Sequence, residues 1–118
     1  MTGGEVRSLC LALPDTTEKE TWGDEVNQGH PTFLVRDKIF VIMAVDESGG
    51  TIKTSPGEQA ELVTAFPDAA GVAAYVGRYG WVDVEFAGIP DEVLREIIEA
   101  AWARTAPKKV AEAWRSSR

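Results

Sequence analysis

The sequence predicts a single α+β domain in which an antiparallel sheet of about five strands carries helices mainly on one face. Three observations predict this class. Two apolar runs, Thr32–Arg36 and Lys38–Val45, flank Asp37, as in a tight hairpin. Ser55, followed by a proline and then Glu58, has the spacing of a helix start. An apolar stripe of helical period follows Pro90 near the end of the chain, as expected for a helix that packs on a sheet.

The N-terminal segment predicts a helix and then an edge strand. Thr2 and Glu5 have capping-box spacing, and Pro14 ends the helix. Four residues recur at the spacing of one apolar helix face: Val6, Leu9, Cys10 and Leu13. We therefore interpret the cysteine as a core residue and not as a nucleophile. Thr17–Trp22 could form a short edge strand, and Gly23–Gly29 is polar and loop-like.

The middle of the chain predicts a central strand. Ile39–Val45 has no polar residue, so we expect it to be covered at least partly on both faces. Asp46–Gly50 predicts a turn, and Thr51–Thr54 predicts a short third strand. The helix that starts at Ser55 should bury three apolar residues and stop at Pro67; the three are Leu62, Val63 and Phe66.

A second hairpin and the final helices complete the predicted order. Ala73–Val76 and Trp81–Phe86 read as strands around a turn at Gly77–Gly80. In the second of these strands the side chains alternate between two faces. One set is Val82, Val84 and Phe86, and the other is Trp81, Asp83 and Glu85. One of these sets should face the core, and the other should face water or a partner. The last long helix begins at Pro90 with acidic residues in its first turn. Pro107 interrupts it before a short final helix. The predicted domain spans residues 1–118.

Composition and charge restrict the function classes. The chain is 44% hydrophobic and 26% charged, as in ordinary globular proteins, and its net charge is −7. Its C-terminal 15 residues carry five basic side chains against one acidic one, so the remainder is more acidic than the whole. We find no apolar run long enough to span a membrane and no signal-peptide pattern, and one cysteine cannot form an internal disulfide. We expect a cytoplasmic monomer without a membrane partner.

The motif search predicts no catalytic residue, no metal site and no cofactor. Glycine-rich phosphate loops, CxxC and HExxH are all absent from the sequence. One cysteine and one histidine cannot provide the roughly four ligands of a structural zinc site. A Ser-His-Asp arrangement would have to use His30, and no Gly-x-Ser-x-Gly motif accompanies it. We therefore predict that the protein is not an enzyme, with an unrecognised enzyme as the last-ranked reading.

Basic side chains at predicted turns and in the last helix are candidate nucleic-acid contacts: Arg36, Lys38, Lys53, Arg78, Lys108 and Lys109. A charged hairpin tip can contact backbone phosphates, as a wing does. The same pattern is also typical of any solvent-exposed turn. The basic C-terminus can equally be a solvated helix whose cations complement its dipole.

A second candidate set could stack on bases or line a ligand pocket: Trp22, His30, Tyr79 and Trp81. The alternative is that the aromatic residues pack in the core or at its rim. If strand alternation holds, Trp81 shares a face with two carboxylates that would repel a nucleic-acid backbone there. If the two hairpins lie side by side, His30 and Arg78 could meet and hold an anion.

Five segments in this order resemble the MmcQ/YjbR family: Leu9-Cys10-Leu11-Ala12-Leu13-Pro14, Glu20-Thr21-Trp22-Gly23, Phe33-Leu34-Val35-Arg36-Asp37-Lys38-Ile39-Phe40, Gly80-Trp81-Val82 and Ile89-Pro90-Asp91-Glu92-Val93. The resemblance runs from about Leu9 to Lys109. It implies an α+β fold close to that of type III secretion chaperones. Family members are often labelled DNA-binding through a "double wing" likeness, a label that rests on fold analogy. No catalytic motif accompanies the family.

Two functions remain open on these grounds. The first is a non-enzymatic DNA-binding domain that uses the hairpin tips and the basic C-terminus. The second is a protein-interaction or small-ligand-binding module, which the acidic remainder of the chain and the four tryptophans favour. The strongly acidic balance is the one respect in which this sequence departs from the DNA-binding label, because an acidic surface repels phosphate.

Overall fold

The computed structural model describes residues 1–23 and 29–118. Over these residues the chain forms four α-helices: Gly3–Ala12 (α1), Pro56–Ala65 (α2), Asp91–Thr105 (α3) and Lys108–Ser116 (α4). Over the same residues it forms six strands: Thr16–Thr21 (β1), His30–Val35 (β2), Lys38–Met43 (β3), Gly49–Ile52 (β4), Ala70–Val72 (β5) and Val82–Glu85 (β6). Short 3₁₀ turns at Gly77–Tyr79 and Phe86–Gly88 flank β6. The predicted loop at Gly23–Gly29 falls mostly on residues 24–28, outside the described residues.

The strands form a single antiparallel sheet in the order β1-β2-β3-β4-β6-β5. This confirms the α+β class with an antiparallel sheet. The strand count within the described residues is six rather than about five, because the segment proposed as an edge strand does pair as β1. The short connections between successive strands permit antiparallel pairing, whereas a parallel pair would need a longer crossover.

The two faces of the sheet differ sharply in burial. Phe33, Val41, Ile52 and Val82 are cross-strand neighbours in one row, and all four are fully buried. Helices therefore cover this face. On the opposite face, Thr32 of β2 is fully buried, but from β3 to β5 the same row is half-buried or exposed at four residues: Ile42, Thr51, Gly71 and Asp83. We call the surface around these four residues the open face.

β3 is a central strand, as its apolar sequence predicts. Phe33 pairs with Val41 and Leu34 with Ile39, so Phe40 is an extra residue on β3 at a bulge. Phe40 and Val41 are consecutive, yet both are fully buried. A bulge explains this, because it places two residues of one strand opposite one residue of its neighbour.

Both predicted capping boxes are present. The Thr2 hydroxyl accepts a hydrogen bond from the Glu5 backbone amide at 3.1 Å, and the Ser55 hydroxyl accepts one from the Glu58 amide at 3.2 Å. In each motif the glutamate carboxylate accepts a hydrogen bond from the backbone amide of the capping residue, at 3.0 Å and 3.1 Å. These contacts satisfy amide groups that lack partners within the helix.

Two predicted strands lie a few residues from their true positions. The third strand is Gly49–Ile52 rather than Thr51–Thr54, because its glycines pair with β6 instead of forming the turn. A Cβ on Gly50 would lie 2.6 Å from the Ile42 carbonyl oxygen, so a glycine fits this close approach to β3. The strand predicted at Ala73–Val76 is instead Ala70–Val72.

The segment after β5 folds as consecutive turns. The Gly77 amide donates to the Ala73 carbonyl oxygen at 2.9 Å, and the Tyr79 amide donates to that of Val76 at 3.0 Å. Tyr75 has a φ of 61° and Gly80 a φ of 96°, values that end an extended strand. The predicted alternation of the next strand is correct from residue 82 to 86: Val82, Val84 and Phe86 are buried, and Asp83 and Glu85 are exposed.

The core joins both ends of the chain. Trp102 of α3 is fully buried, and its indole nitrogen donates to the Pro14 carbonyl oxygen at 3.0 Å. Trp114 of α4 packs edge-on against the Trp102 ring, with ring centroids 5.1 Å apart. Cys10 is fully buried, and burial raises the pKa of its thiol to about 12. This agrees with its interpretation as a core residue, since the reactive species of a cysteine is the thiolate.

Candidate nucleic-acid interface

Lys38 and Lys53 lie at the same end of the sheet. Lys38 begins β3 and Lys53 follows β4, and these strands pair with Val41 opposite Ile52. The pKa of Lys53 is lowered, first by burial and then by the positive charges of Lys38 and Arg104. Three cations of different elements therefore lie close enough to repel one another.

Arg104 anchors the end of α3 to this cluster. Its guanidinium donates to the Lys53 carbonyl oxygen at 2.9 Å and to a Glu58 carboxylate oxygen at 2.5 Å. Arg104 was not singled out from the sequence, because it is 51 residues from Lys53 along the chain. Two features of the sequence pointed to it: its place in the last turn of the longest predicted helix and its membership of the basic C-terminal 15 residues.

The hairpin tip and α4 add further cations to the same end. Arg36 forms an ion pair with Asp15 at 2.9 Å. Asp15 also lines a groove together with Lys109 of α4, which places Lys109 near the hairpin tip. Lys108 lies next to it and is 3.9 Å from Glu112 one helical turn away.

Arg78 lies at the same end of the sheet, in the turn that precedes β6. The Thr54 hydroxyl donates to the Gly80 carbonyl oxygen at 2.5 Å, so the Gly77–Gly80 turn lies beside the residue that follows Lys53. The Gln59 amide of α2 donates to the Gly77 and Trp81 carbonyl oxygens at 2.8 Å and 2.7 Å.

All six predicted cations therefore lie at one end of the molecule. With Arg104 they define what we call the basic end: Arg36, Lys38, Lys53, Arg78, Arg104, Lys108 and Lys109. Four of them have no carboxylate oxygen within 4.0 Å among residues 1–23 and 29–118, namely Lys38, Lys53, Arg78 and Lys109. Within the described residues these four side chains are therefore not engaged in an ion pair.

The predicted aromatic set is divided between opposite ends of the sheet. Trp22 is 66% exposed, and its ring lies edge-on to that of His30 with centroids 6.1 Å apart. His30 begins β2, whereas Arg36 follows the end of the same strand. The His30 Nδ1 atom is 3.1 Å from the Met43 carbonyl oxygen at the far end of β3. The structure therefore does not bring His30 and Arg78 together, because the hairpins are separated by strand β4 and the two residues lie at opposite strand ends.

Tyr79 and Trp81 lie at the same end of the sheet as the basic end, but only the tyrosine side chain is largely exposed. Tyr79 is 62% exposed, and the Arg78 guanidinium lies 4.8 Å from the centroid of its ring. Trp81 is half-buried and precedes β6, so it does not continue the exposed row of Asp83 and Glu85.

The open face carries a cavity of about 490 Å³ that the sequence did not reveal. Its polar lining includes His30, Thr51, Asp68, Asp83 and Glu85. The Thr51 hydroxyl donates to an Asp83 carboxylate oxygen at 2.5 Å. Gly71 leaves room on this face, because a Cβ there would meet no atom within 4 Å. Strand alternation indicated exposed carboxylates, but the concavity depends on pairing between distant strands.

Neither a metal site nor a membrane span is found in the part of the chain that the structure describes. No three potential ligand side chains of the histidine, cysteine, aspartate or glutamate type cluster there. No helix of that part combines the length and the apolar character that crossing a bilayer requires.

Comparison with known proteins identifies the family. The YjbR family model matches residues 11–104, so the chain belongs to the YjbR family. The crystal structure of Deinococcus radiodurans protein DR2400, which carries a DUF419 domain, superposes with a TM-score of 0.73 at 24% sequence identity. The match covers 86% of this chain and 76% of that one, and it shows a shared fold. No curated protein matches the sequence.

Proposed function

We propose that this YjbR-family protein is a non-enzymatic binding module that contacts nucleic-acid phosphates through its basic end. The observation that supports the proposal is that four cations without a carboxylate oxygen within 4.0 Å in the described residues lie at the same end of the sheet: Lys38, Lys53, Arg78 and Lys109. Four elements far apart in the chain provide them. Phosphate contacts by lysine and arginine supply most non-specific nucleic-acid affinity.

The net charge of −7 does not repel phosphate equally at every part of the surface. Carboxylates of the open face, such as Asp68 and Glu85, lie near His30 and therefore toward the other end of the sheet. At about 0.1 M salt, charges on the surface are screened beyond roughly 10 Å. A phosphate at the basic end would therefore interact mainly with the local charges, which are the seven cations and the carboxylates of Asp15, Asp37, Glu58 and Glu112. The distant carboxylates would act mainly at low salt.

The proposal is tested by fluorescence anisotropy with labelled DNA of mixed sequence at about 20 mM and about 200 mM salt. We expect the wild-type protein to bind at the lower salt and to weaken steeply at the higher one. The variant Lys38→Gln/Lys53→Gln should bind at least about tenfold more weakly and show a salt dependence reduced by nearly two phosphate contacts.

The matched control is Lys19→Gln/Arg95→Gln, which changes the net charge equally at exposed positions of β1 and α3. It should retain wild-type affinity within about twofold, because these side chains lie outside the basic end. If both double variants bound DNA more weakly by the same factor, the affinity would depend on net charge alone and not on the basic end. Absence of binding at about 20 mM salt would refute the proposal.

The cavity of about 490 Å³ on the open face favours the second candidate function, a small-ligand or protein-interaction module. Its volume is in the range of small-molecule sites, which are concave and carry a few converging polar groups. Asp68, Asp83 and Glu85 make its lining acidic, so its ligand would be cationic. Flat anisotropy traces at both salt concentrations would make this cavity the leading candidate.

A further inference from the structure

The segment from residue 73 to 80, between β5 and β6, presents two tyrosines on a firmly held backbone. In addition to the hydrogen bonds of its own turns, a hydrogen bond closes the segment: the Ala73 amide donates to the carbonyl oxygen of Trp81, the residue that follows the segment, at 3.3 Å. Gln59 and Thr54 hold its second half through the Gly77 and Gly80 carbonyl oxygens. A Cβ on Gly80 would lie 2.6 Å from the Pro56 nitrogen, so this turn packs closely against the start of α2.

The tyrosines of this segment are unusually accessible for large aromatic side chains. Tyr75 is 95% exposed and Tyr79 is 62% exposed. Val72, at the end of edge strand β5, is also 62% exposed and lies against Gly77. We call these three residues the tyrosine patch. Three exposed apolar side chains on one short segment make it a candidate binding surface.

The charge around the tyrosine patch indicates the chemistry of its ligand. Arg78 is the only charged residue between Asp68 and Asp83 in the sequence, and its guanidinium lies 4.8 Å from the Tyr79 ring centroid. Lys53 immediately precedes Thr54, the residue that holds the Gly80 carbonyl group. An exposed tyrosine ring thus lies beside Arg78, one of the four basic-end cations that form no ion pair within the described residues.

Aromatic rings beside a cationic track are the elements that proteins use to bind single-stranded nucleic acids, in which bases are free to stack on side chains. In a duplex the flat faces of the bases are covered by their neighbours, so a tyrosine ring gains little there. From this combination we infer that the ligand of the basic end is single-stranded nucleic acid, with Tyr75 and Tyr79 stacking on bases while Lys53 and Lys38 contact phosphates. This inference rests on the proposed function and specifies its substrate class.

The test compares a labelled dT oligomer of about 12 nucleotides with a duplex of the same length by anisotropy at about 20 mM salt. We expect the wild-type protein to bind the oligomer more tightly than the duplex. The variant Tyr75→Asn/Tyr79→Ala should lose about tenfold in affinity for the oligomer and little for the duplex. Asparagine is chosen at residue 75 because it tolerates the positive φ there.

Two controls separate stacking from folding and from exposure alone. Tyr79→Phe keeps the ring and should retain affinity within about twofold. Trp22→Ala removes another exposed aromatic ring at the opposite end of the sheet and should not change the affinity. Unchanged far-ultraviolet circular dichroism and melting temperature of the tyrosine variants would show that the fold is intact.

Each outcome distinguishes this inference from the proposed function. If Lys38→Gln/Lys53→Gln abolishes binding but the tyrosine variants bind both ligands normally, the proposed function stands and the inference fails. Equal losses on oligomer and duplex would also overturn the inference, whereas absence of any nucleic-acid binding would refute both proposals.

Discussion

Arg36 and Asp37 form the two-residue turn between β2 and β3, and both have positive φ angles, 48° and 68°. Such angles match the type I′ turn, whose twist suits a hairpin. Positive φ angles raise the free energy of most residues, because Cβ comes close to the carbonyl oxygen. Aspartate tolerates them better than most residues do. Arg36 keeps an ion pair with Asp15 in this conformation. The hairpin tip therefore combines a strained backbone with one of the candidate phosphate contacts.

Asp37→Val should destabilise the protein by roughly 1–2 kcal/mol, because a β-branched residue fits the left-handed region poorly. Asp37→Gly should be neutral or stabilising, since glycine adopts a positive φ without steric cost. Urea unfolding followed by tryptophan fluorescence measures both effects as shifts in midpoint at constant slope. The turn assignment would be contradicted by equal destabilisation in the two variants.

The start of α2 is the element that connects the sheet, the basic end and the tyrosine patch. Ser55 caps the helix, and Glu58 completes the capping box while it also accepts a hydrogen bond from Arg104. Gln59, in the next position, holds the turn that carries Arg78. The geometry of the basic end thus depends on the position of this one helix start.

Ser55→Ala should reduce the free energy of unfolding by about 1 kcal/mol, because the Glu58 backbone amide loses its acceptor. Ser55→Asp should retain most of the stability, since aspartate is an equally good cap and its charge suits a helix N-terminus. Thermal and urea unfolding of the three proteins provide the comparison. If alanine and aspartate had the same effect, the cap would not be what stabilises this element.

At the scale of the whole molecule, α4 packs against α3 and the core and carries two of the basic-end lysines. Trp114 packs against buried Trp102, and the Arg118 guanidinium lies 4.3 Å from the Trp114 ring centroid. Arg118 also reaches Glu99 of α3 at 3.5 Å. Buried Ala111 and half-buried Val110 also pack in or against the core, so Trp114 is one of several contacts that position Lys108 and Lys109.

Trp114→Ala should lower the free energy of unfolding by roughly 2 kcal/mol, through lost apolar burial and the lost edge-on ring contact. It should also weaken DNA binding several-fold, because Lys108 and Lys109 would no longer be held at the basic end. Trp114→Phe should preserve much of both properties. Normal DNA affinity in a destabilised Trp114→Ala protein would show that α4 does not contribute to the interface.

Local patterns in the sequence predicted much of the fold. The capping boxes at Thr2 and Ser55, the turn at Asp37 and the alternation after Val82 each depend on a few neighbouring residues. The strand expected at Ala73–Val76 was wrong, because the sequence there has neither polar alternation nor a strong turn signal. Its turns are held by Gln59 and Thr54, which belong to other elements.

The sequence by itself determined the α+β class, the order of helices and strands, the burial of Cys10 and the identity of six of the seven basic-end cations. Only the tertiary structure decided that these cations share one end, that Arg104 joins them and that His30 lies far from Arg78. Caps, turns and alternation are set by contacts within a few residues. The site, in contrast, depends on strand order and helix docking, which bring together Lys38, Lys53 and Arg104 through contacts that no local pattern encodes.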